Sequence, residues 1–570
     1  MKNFFRRLIP VIIAIALIFA VVYFVFYPEY QERFEYSEEY ADLMNYFKLG
    51  DLTEVAIILQ DEMIPEKARI WDDVYYFDLE TVHKYFNPRF YVDERESLIL
   101  YSLPDFTVRT SIGTKSITTK DGEINRPYQV SRIEGDKLYL AADFVKDYTN
   151  FSYDAFKDPG RMQVYNEWGE VRMARISRDT HVRFLGGIKS DVLYDISADS
   201  RVMVLDEMET WAKVKTTNGF IGYVELRRLG ERYNERQVPV TSYQEPEFIS
   251  NTRDFKISLG WHYIGGPAGN DTIWDVTRNT QGLNVISPTW FFLDDDEGNF
   301  TSFASNAYVK AAHEMGLEVW ALVENMTNNV DMFELLGSTS KRAYLIENLV
   351  EAALSFGIDG INVDFEELRP NTGVHFIQFI RELSIPLREH GIVLSVDNYV
   401  PYSFNDFYNR PEQGVFADYV IIMGYDEHFR GSENAGSVAS INYVEHGIRR
   451  TVEQVPAHKV INGVPFYTRI WETSGGTVGV WQTVGMAVAN EWVASRGLTP
   501  VWDEETCQYY AEYTDSTGVH YQVWLECAES LRVRTNVMAN YEIGGIAFWQ
   551  LGQETPDVWE VVLEYLGEDG

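Results

Sequence analysis

The sequence is short of cysteine, of positive charge and, beyond its first turns, of long apolar runs. Only two cysteines, Cys507 and Cys527, occur in 570 residues. They form no CxxC pair, which excludes the thiolate spacings of zinc sites and thioredoxin-like centres. The 10 histidines show no HExxH or comparable metal spacing. Glycine-rich phosphate loops and the GxSxG nucleophile elbow are also missing, so neither a metal nor a cofactor is expected. Lys and Arg number 49 against 86 Asp and Glu, a formal net charge of −37. A chain so poor in cations has no electrostatic footprint for nucleic acid, and that partner is excluded. A carbohydrate partner is not, because sugars are held by hydrogen bonds and aromatic faces, and aromatic residues make up 15% of the chain.

The exception among apolar runs is the N-terminus. "MKNFFRRLIPVIIAIALIFAVVYFVFYPEY" sets Lys2, Arg6 and Arg7 ahead of an uncharged run from Leu8 to Tyr27. About 20 residues at about 1.5 Å each span roughly 30 Å, the hydrocarbon thickness of a bilayer. The run ends in bulky residues rather than the small ones of a signal-peptidase site. Cations before it and Glu29, Glu32 and Glu35 after it predict a cytoplasmic segment 1–7, a membrane anchor 8–27 and a body on the extracellular side. The alternative is secretion after signal cleavage.

Residues 28–67 read as an acidic helical spacer. From 68 to 165, short strand-like runs and one helix-like stretch, among them "VYYFDLETVHKYF" and "KLYLAADFVKDYTNFSYDAF", resemble the small stalk domain named after the N-terminal domain of copper amine oxidases. That resemblance implies an extracellular α+β spacer and no copper. Asn540-Tyr541-Glu542 repeats the cofactor-forming tripeptide of amine oxidases, but far from this region and without a histidine cluster, and is read as coincidence. Residues 170–231 are a series of short strands with turns at "SADS" and "TTNG". Trp211, Val214, Asn218-Gly219 and Ile221-Gly222-Tyr223-Val224 resemble bacterial SH3-like domains, which implies a small β-barrel with a cell-wall peptide as candidate ligand. A polar linker, 232–252, follows.

From 253 to 567 the texture changes to strands alternating with helices. The strand candidates are "FKISLGWHY", "GLNVISPTWFFL", "LEVWALVEN", "IDGINVDFEE", "IVLSVDNYV", "YVIIMGYDE", "KVINGVPFY" and "IGGIAFWQL". Between them, Phe376, Ile380, Leu383 and Leu387 fall on one helical face. Ser338 is placed to cap a helix whose apolar stripe runs through Leu345, Leu349 and Ala352. Eight such units predict an α/β fold, a (β/α)8 TIM barrel. A small α+β insertion separates strands seven and eight. There "TCQYYAEY", "TDSTG" and "HYQVWLEC" form a hairpin centred on Thr517, which sets Cys507 opposite Cys527. Both a cross-strand disulfide in an oxidising compartment and two free thiols are open.

The chemistry lies in "GIDGINVDFEEL", Gly357 to Leu368. Asn362, Asp364 and Glu366 alternate with Val363 and Phe365, so a period of two sends the polar side chains into the barrel. Buried carboxylates are costly without a cation, and this strand offers none. Two carboxyls in one poorly solvated site cannot both ionise easily. One pKa rises, and that group stays protonated as a general acid, as glycoside hydrolysis requires.

Asp359-Gly360-Ile361-Asn362-Val363-Asp364-Phe365-Glu366 resembles the strand-four signature of family 18 glycoside hydrolases, with Asn362 where many members carry Asp. "MGYD", Met423 to Asp426, "GVPFYTRIW" and "GGIAFWQLG" resemble the family's strands six, seven and eight in order. The resemblance implies substrate-assisted retention, with Glu366 as acid and base, Asp364 orienting the substrate's acetamido group and Tyr425 bonding the acetamide oxygen. It implies β-1,4-linked N-acetylglucosamine as substrate. Trp549 is expected beneath the sugar, and Asn362, Asp359, Asp426, Trp261, Tyr263, Trp290 and Asn398 are substrate-binding candidates, for several of which ordinary packing is the alternative. The anchor and SH3-like region favour cell-wall peptidoglycan. Chitin or glycoprotein glycans are alternatives, as is a non-catalytic glycan-binding module.

Overall fold

The computed structural model describes residues 2–27 and 33–567. Met1 and the first part of the expected spacer, 28–32, lie outside the described residues. The N-terminal helix runs from Lys2 to Val21 and continues in wider turns from Val22 to Phe26. Its segment Leu8–Val25, of mean hydropathy 3.1, is long and apolar enough to cross a bilayer.

The chain divides into two compact units. The first holds the residues up to Phe90 with Thr110–Ile117 and Ile124–Glu245; the second holds Tyr91–Arg109, Thr118–Glu123 and the chain from Pro246 onward.

In the first unit the expected helical spacer is largely absent. Its described part contains one helical turn, Leu43–Tyr46, capped by Asp42, and then the strands Glu54–Leu59 and Glu62–Trp71. The reason is local. "EVAIIL" is rich in β-branched residues and buried at its four central positions. It pairs in parallel with Arg161–Tyr165, Ala56 opposite Arg161, inside a seven-stranded sheet. A second seven-stranded sheet is antiparallel and spans Glu170–Arg236. In it Trp211–Thr216 pairs with Ile221–Glu225 across a turn at Gly219, whose φ of +85° suits glycine. The last strand runs on to Arg236 opposite Glu170, so the irregular stretch begins five residues later than expected.

The second unit is the barrel. Its strands are β1 (Ile257–His262), β2 (Val285–Leu293), β3 (Glu318–Glu324), β4 (Gly360–Asp364), β5 (Val393–Tyr399), β6 (Tyr419–Met423), β7 (Val460–Pro465) and β8 (Gly545–Trp549). All pair in parallel, and β1 closes the ring by pairing with both β2 and β8. All eight coincide with runs expected to be strands. The outer helices include α1 (Asn306–Glu314), α2 (Thr339–Phe356), α3 (Gly373–Glu389), α4 (Arg410–Phe416) and α5 (Ile441–Val452). Ser338 caps α2 by accepting from the Lys341 N–H. Phe376, Ile380, Leu383 and Leu387 of α3 are fully buried against the strands.

One feature departs from expectation, and a second takes one of two alternatives left open. Residues 91–109 of the supposed stalk belong to the barrel unit. A hairpin there, Tyr91–Asp93 with Leu98–Ser102, satisfies polar groups at the start of α2. Asp93 Oδ2 accepts from the N–H and hydroxyl of Thr339 at 2.7 and 2.6 Å. Glu96 Oε1 accepts from the Ser338 hydroxyl and the Ser340 N–H at 2.6 and 2.7 Å. Second, Cys507 and Cys527 are free thiols. The register Tyr509 to Leu525 does point toward their pairing, but both lie past the strand ends. Cys507 is in the left-handed region at φ 55°, and Cys527 turns away to cap the helix Ala528–Asn540. Both thiols are therefore expected to react with a thiol reagent in the unfolded, unreduced protein; a reading of none would establish the bridge.

Candidate active site

The last residues of β4 and the loop after it carry the carboxyls. Asn362 and Asp364 face the barrel interior, and the strand ends at Asp364, so Glu366 sits just above it at the mouth. Its backbone is fixed on both sides by Asn325, whose Oδ1 accepts from the Glu366 N–H at 2.9 Å and whose Nδ2 donates to the Glu366 carbonyl at 3.0 Å. Glu367 follows at φ 54°, a left-handed conformation uncommon outside glycine, and the chain turns away there. Asp426, directly after Tyr425, has φ 61°. The two strained residues thus each follow a candidate catalytic side chain.

Burial dominates the electrostatics. Asp364 is pushed well above the usual carboxylate range, by burial first and then by Glu366, Asp397 and Glu324. One of its oxygens, Oδ1, is buried without a partner. Glu366 is also raised, mainly by burial and further by Asp426, Glu367 and Glu324, while a hydrogen bond from the Tyr399 hydroxyl opposes the rise. A carboxyl so placed holds its proton to higher pH than a free one and can donate it. Among the described residues no group of three or more His, Cys, Asp or Glu side chains is placed to hold a metal ion.

Aromatic residues close the site from the opposite strands. Trp261 of β1 is buried, donates from Nε1 to Asn362 Oδ1 at 2.9 Å, and its ring lies 5.8 Å from that of Trp549 at the end of β8. Tyr425 packs 6.5 Å from Trp261. Gly463 on β7 makes room for it, since a Cβ there would stand 3.0 Å from the Tyr425 ring. Asp426 accepts from the Tyr467 hydroxyl and, at 2.8 Å, from Arg469. Beside Glu366 a cleft of about 590 Å³ opens among Asn325, Met326, Glu367, Arg369 and Thr372. A cavity of similar size, about 600 Å³, lies in the first unit but is lined by charges that largely pair with one another, such as Arg69 with Glu54 and Lys84 with Glu66.

Glu366, Asp364, Tyr425, Asn362, Trp261, Trp549 and Asp426 are thus brought together, and Tyr263 is exposed just past β1. Three candidates are not part of the cluster. Asp359 precedes β4 at the opposite end of the barrel, where Oδ2 lies 2.8 Å from His313 Nε2 and accepts from the Val319 N–H. Trp290 points outward from β2, donates to Asn270 at 2.8 Å and packs on Tyr308. Asn398 also points outward and exchanges two hydrogen bonds with Gln413 of α4. Its neighbours Asp397 and Tyr399 face inward instead. They were missed, although alternation in "VLSVDNY" marks Ser395, Asp397 and Tyr399 as one face. Ser287 and Asn325 carried no sequence signal of their own.

Comparison with known proteins agrees with this geometry. Residues 208–554 match the glycosyl hydrolases family 18. An uncharacterized glycosylase of Bacillus subtilis, YvbX, is 24% identical over 52% of this chain and 90% of its own length. The cortical fragment-lytic enzyme of the same organism is 25% identical over 42% of this chain, which spans only 58% of that relative. The crystal structure of a chitinase from Chromobacterium violaceum superposes with a TM-score of 0.50 at 25% identity, over 55% of this chain and all of that one. With the match covering more than half of the sequence, and the barrel and its carboxyls in place, the chain belongs to glycoside hydrolase family 18.

Proposed function

We propose that this enzyme cuts β-1,4-linked N-acetylglucosamine in cell-wall peptidoglycan, with retention of configuration, from the outer side of the membrane that its N-terminal helix spans. The observation that carries the reading is the pair Asp364 and Glu366, largely withdrawn from water side by side, with no neutralising cation among the described residues and both raised above ordinary carboxyls. Protonated Glu366 donates to the glycosidic oxygen as the bond to the anomeric carbon breaks. The substrate's acetamido oxygen attacks that carbon from the other face, giving an oxazolinium ion. Asp364 accepts from the acetamido N–H and balances the positive charge, and Tyr425 donates to the acetamide oxygen. Glu366, now ionised, takes a proton from water as water opens the ring, and two inversions leave the original configuration. Trp549 offers a face for the sugar.

The choice of polymer rests on company. An N-terminal helix long and apolar enough to span a membrane, a sheet resembling SH3-like wall binders and the printed name of the cortical fragment-lytic relative favour peptidoglycan. The chitinase likeness keeps chitin as the second reading. Digestion of purified peptidoglycan and chitin oligosaccharides by the full chain, with mass spectrometry of the new reducing ends and NMR of the first-formed anomer, tests both. Peptidoglycan fragments ending in reducing N-acetylglucosamine, released as the β-anomer, are expected. Cleavage of chitin alone reassigns the polymer, an initial α-anomer overturns retention, and binding without cleavage of either supports a non-catalytic module.

A further inference from the structure

The antiparallel sheet of the first unit ends on one side at the strand Val192–Ile196. An edge strand leaves a row of backbone N–H and C=O groups open to pairing with another segment. Here the segment Tyr36–Ala41, part of the same unit, takes them. The Ser37 N–H donates to the Ile188 carbonyl at 2.8 Å, the Val192 N–H to the Glu39 carbonyl at 2.8 Å, and the Ala41 N–H to the Val192 carbonyl at 2.9 Å. The pairing is parallel, with Tyr40 opposite Val192, and amounts to strand addition from within the chain. Two exposed tyrosines tie it down at their tips: the Tyr36 hydroxyl donates to Glu225 Oε1 and the Tyr40 hydroxyl to Asp195 Oδ2, each at 2.7 Å. Arg183, 2% exposed, donates to the Ser37 carbonyl at 2.9 Å. A buried plug follows. The Tyr46 hydroxyl donates to the Ile221 carbonyl at 2.6 Å and accepts from the Ile221 N–H at 3.1 Å. Phe47 is fully buried, its ring 5.4 Å from that of Phe220, in one cluster with Leu193 of the edge strand.

We propose that residues 36–47 are a built-in ligand of this sheet: they close its edge from within the chain, so that this edge takes no cell-wall peptide, and they fasten the first unit close to the membrane. The closed edge is independent of the barrel's chemistry, whereas the closeness rests on the anchor reading above. Tyr27 ends the expected anchor, and Ser37 is the first residue whose backbone the sheet holds. They are 10 residues apart, at most about 36 Å of extended chain. Held only by the plug at Tyr46, the tether has 19 residues and a reach of about 68 Å. The strand contacts thus halve the distance over which the unit can move from the bilayer. A linked segment also meets its edge at an effective concentration on the order of mM, which any free peptide has to exceed. The plug adds apolar burial to that advantage, and a short peptide pairing with the edge alone has no counterpart to it.

The test is hydrogen exchange of the full chain in lipid nanodiscs, resolved to single amides. The Ala41 and Val192 amides are expected to exchange at least about tenfold more slowly than in an unstructured peptide. Stem peptides released from purified peptidoglycan, added at about 0.1 mM, below that effective concentration, are expected to leave both rates unchanged. Tyr36→Ala with Tyr40→Ala removes the two hydroxyl bonds to Glu225 and Asp195. Exchange at Ala41 and Val192 is then expected to rise about tenfold, while Ile221, held by Tyr46, keeps its parental rate. Unstructured-peptide rates at Ala41 and Val192 in the parent, faster exchange at Ala41 on adding stem peptides, or parental rates in the double variant would each overturn the proposal. Should the double variant lose protection at Ile221 as well, Tyr40→Phe, which deletes one exposed hydroxyl, decides. A rise of about threefold at Ala41 supports the clasp, and an unchanged rate overturns it. The mass of the purified protein tests the anchor separately: a chain that begins after Tyr27 overturns the short tether, whatever the exchange shows.

Discussion

Glu366→Gln is expected to lower turnover by about 10³-fold while glycan binding persists. The amide has nearly the volume of the carboxyl, and the Glu366 backbone is held from both sides by Asn325, so the cleft keeps its shape. What disappears is the exchangeable proton, and general acid–base catalysis contributes about 10² to 10⁴ in rate. Neither neighbouring carboxyl stands in for it: Asp364 lies deeper in the barrel, and Asp426 is occupied by Tyr467 and Arg469. The same assignment fixes the sign of the pH dependence. Glu366 acts first as an acid, so kcat/KM falls as pH rises through its raised pKa, later than an exposed glutamate would allow. Turnover on peptidoglycan, with co-sedimentation to report binding, measures both parts. A variant with parental turnover would remove Glu366 from the chemistry and leave the wall-binding alternative.

The barrel was legible because its signals are local and repeated. Each strand is a short apolar run bounded by turn residues, and helices such as α3 show their buried face at regular spacing. The pair Asp364 and Glu366 was legible for a related reason: polar residues alternating within an apolar strand need an explanation. Three kinds of information stayed hidden. Inward and outward faces on β5 differ by one residue, and choosing Asn398 over Asp397 reversed the face. The irregular pairing of β2 with β3 between Thr289 and Phe291 breaks simple alternation, which is why Trp290 could be read as a cleft residue. Long-range partners have no sequence periodicity at all. Nothing in "YVDERESLILYS" announces that Asp93 and Glu96 meet α2 some 240 residues later, or that "EVAIIL" completes a sheet. The cysteines show the converse: hairpin arithmetic was right about register and silent about where the strands stop.

Arg342→Met is expected to destabilise the barrel unit by about 3–5 kcal/mol, the usual consequence of breaking one side of a buried ion pair. The Arg342 side chain is wholly buried and Glu382 nearly so. The guanidinium donates to both Glu382 oxygens at 2.8 and 3.0 Å, to the Leu336 carbonyl at 2.7 Å, and to Thr339 and Tyr91 at 3.2 Å. Methionine fills much of the space and satisfies none of these acceptors. Among the described residues Glu382 keeps the Gln378 amide as its one remaining direct donor, at 2.9 Å. Most of the loss therefore comes from a stranded charge rather than from lost attraction, and that distinction is measurable. Arg342→Met with Glu382→Met removes both charges and is expected to recover more than half of the stability lost, read as the midpoint of denaturant unfolding. If the double variant is as unstable as the sum of the singles, packing and the Leu336 carbonyl govern the site instead. By the same contacts, a fragment beginning at Pro246 is expected to be less stable than the whole chain. It lacks Tyr91, Asp93 and Glu96, so the start of α2 loses its acceptors.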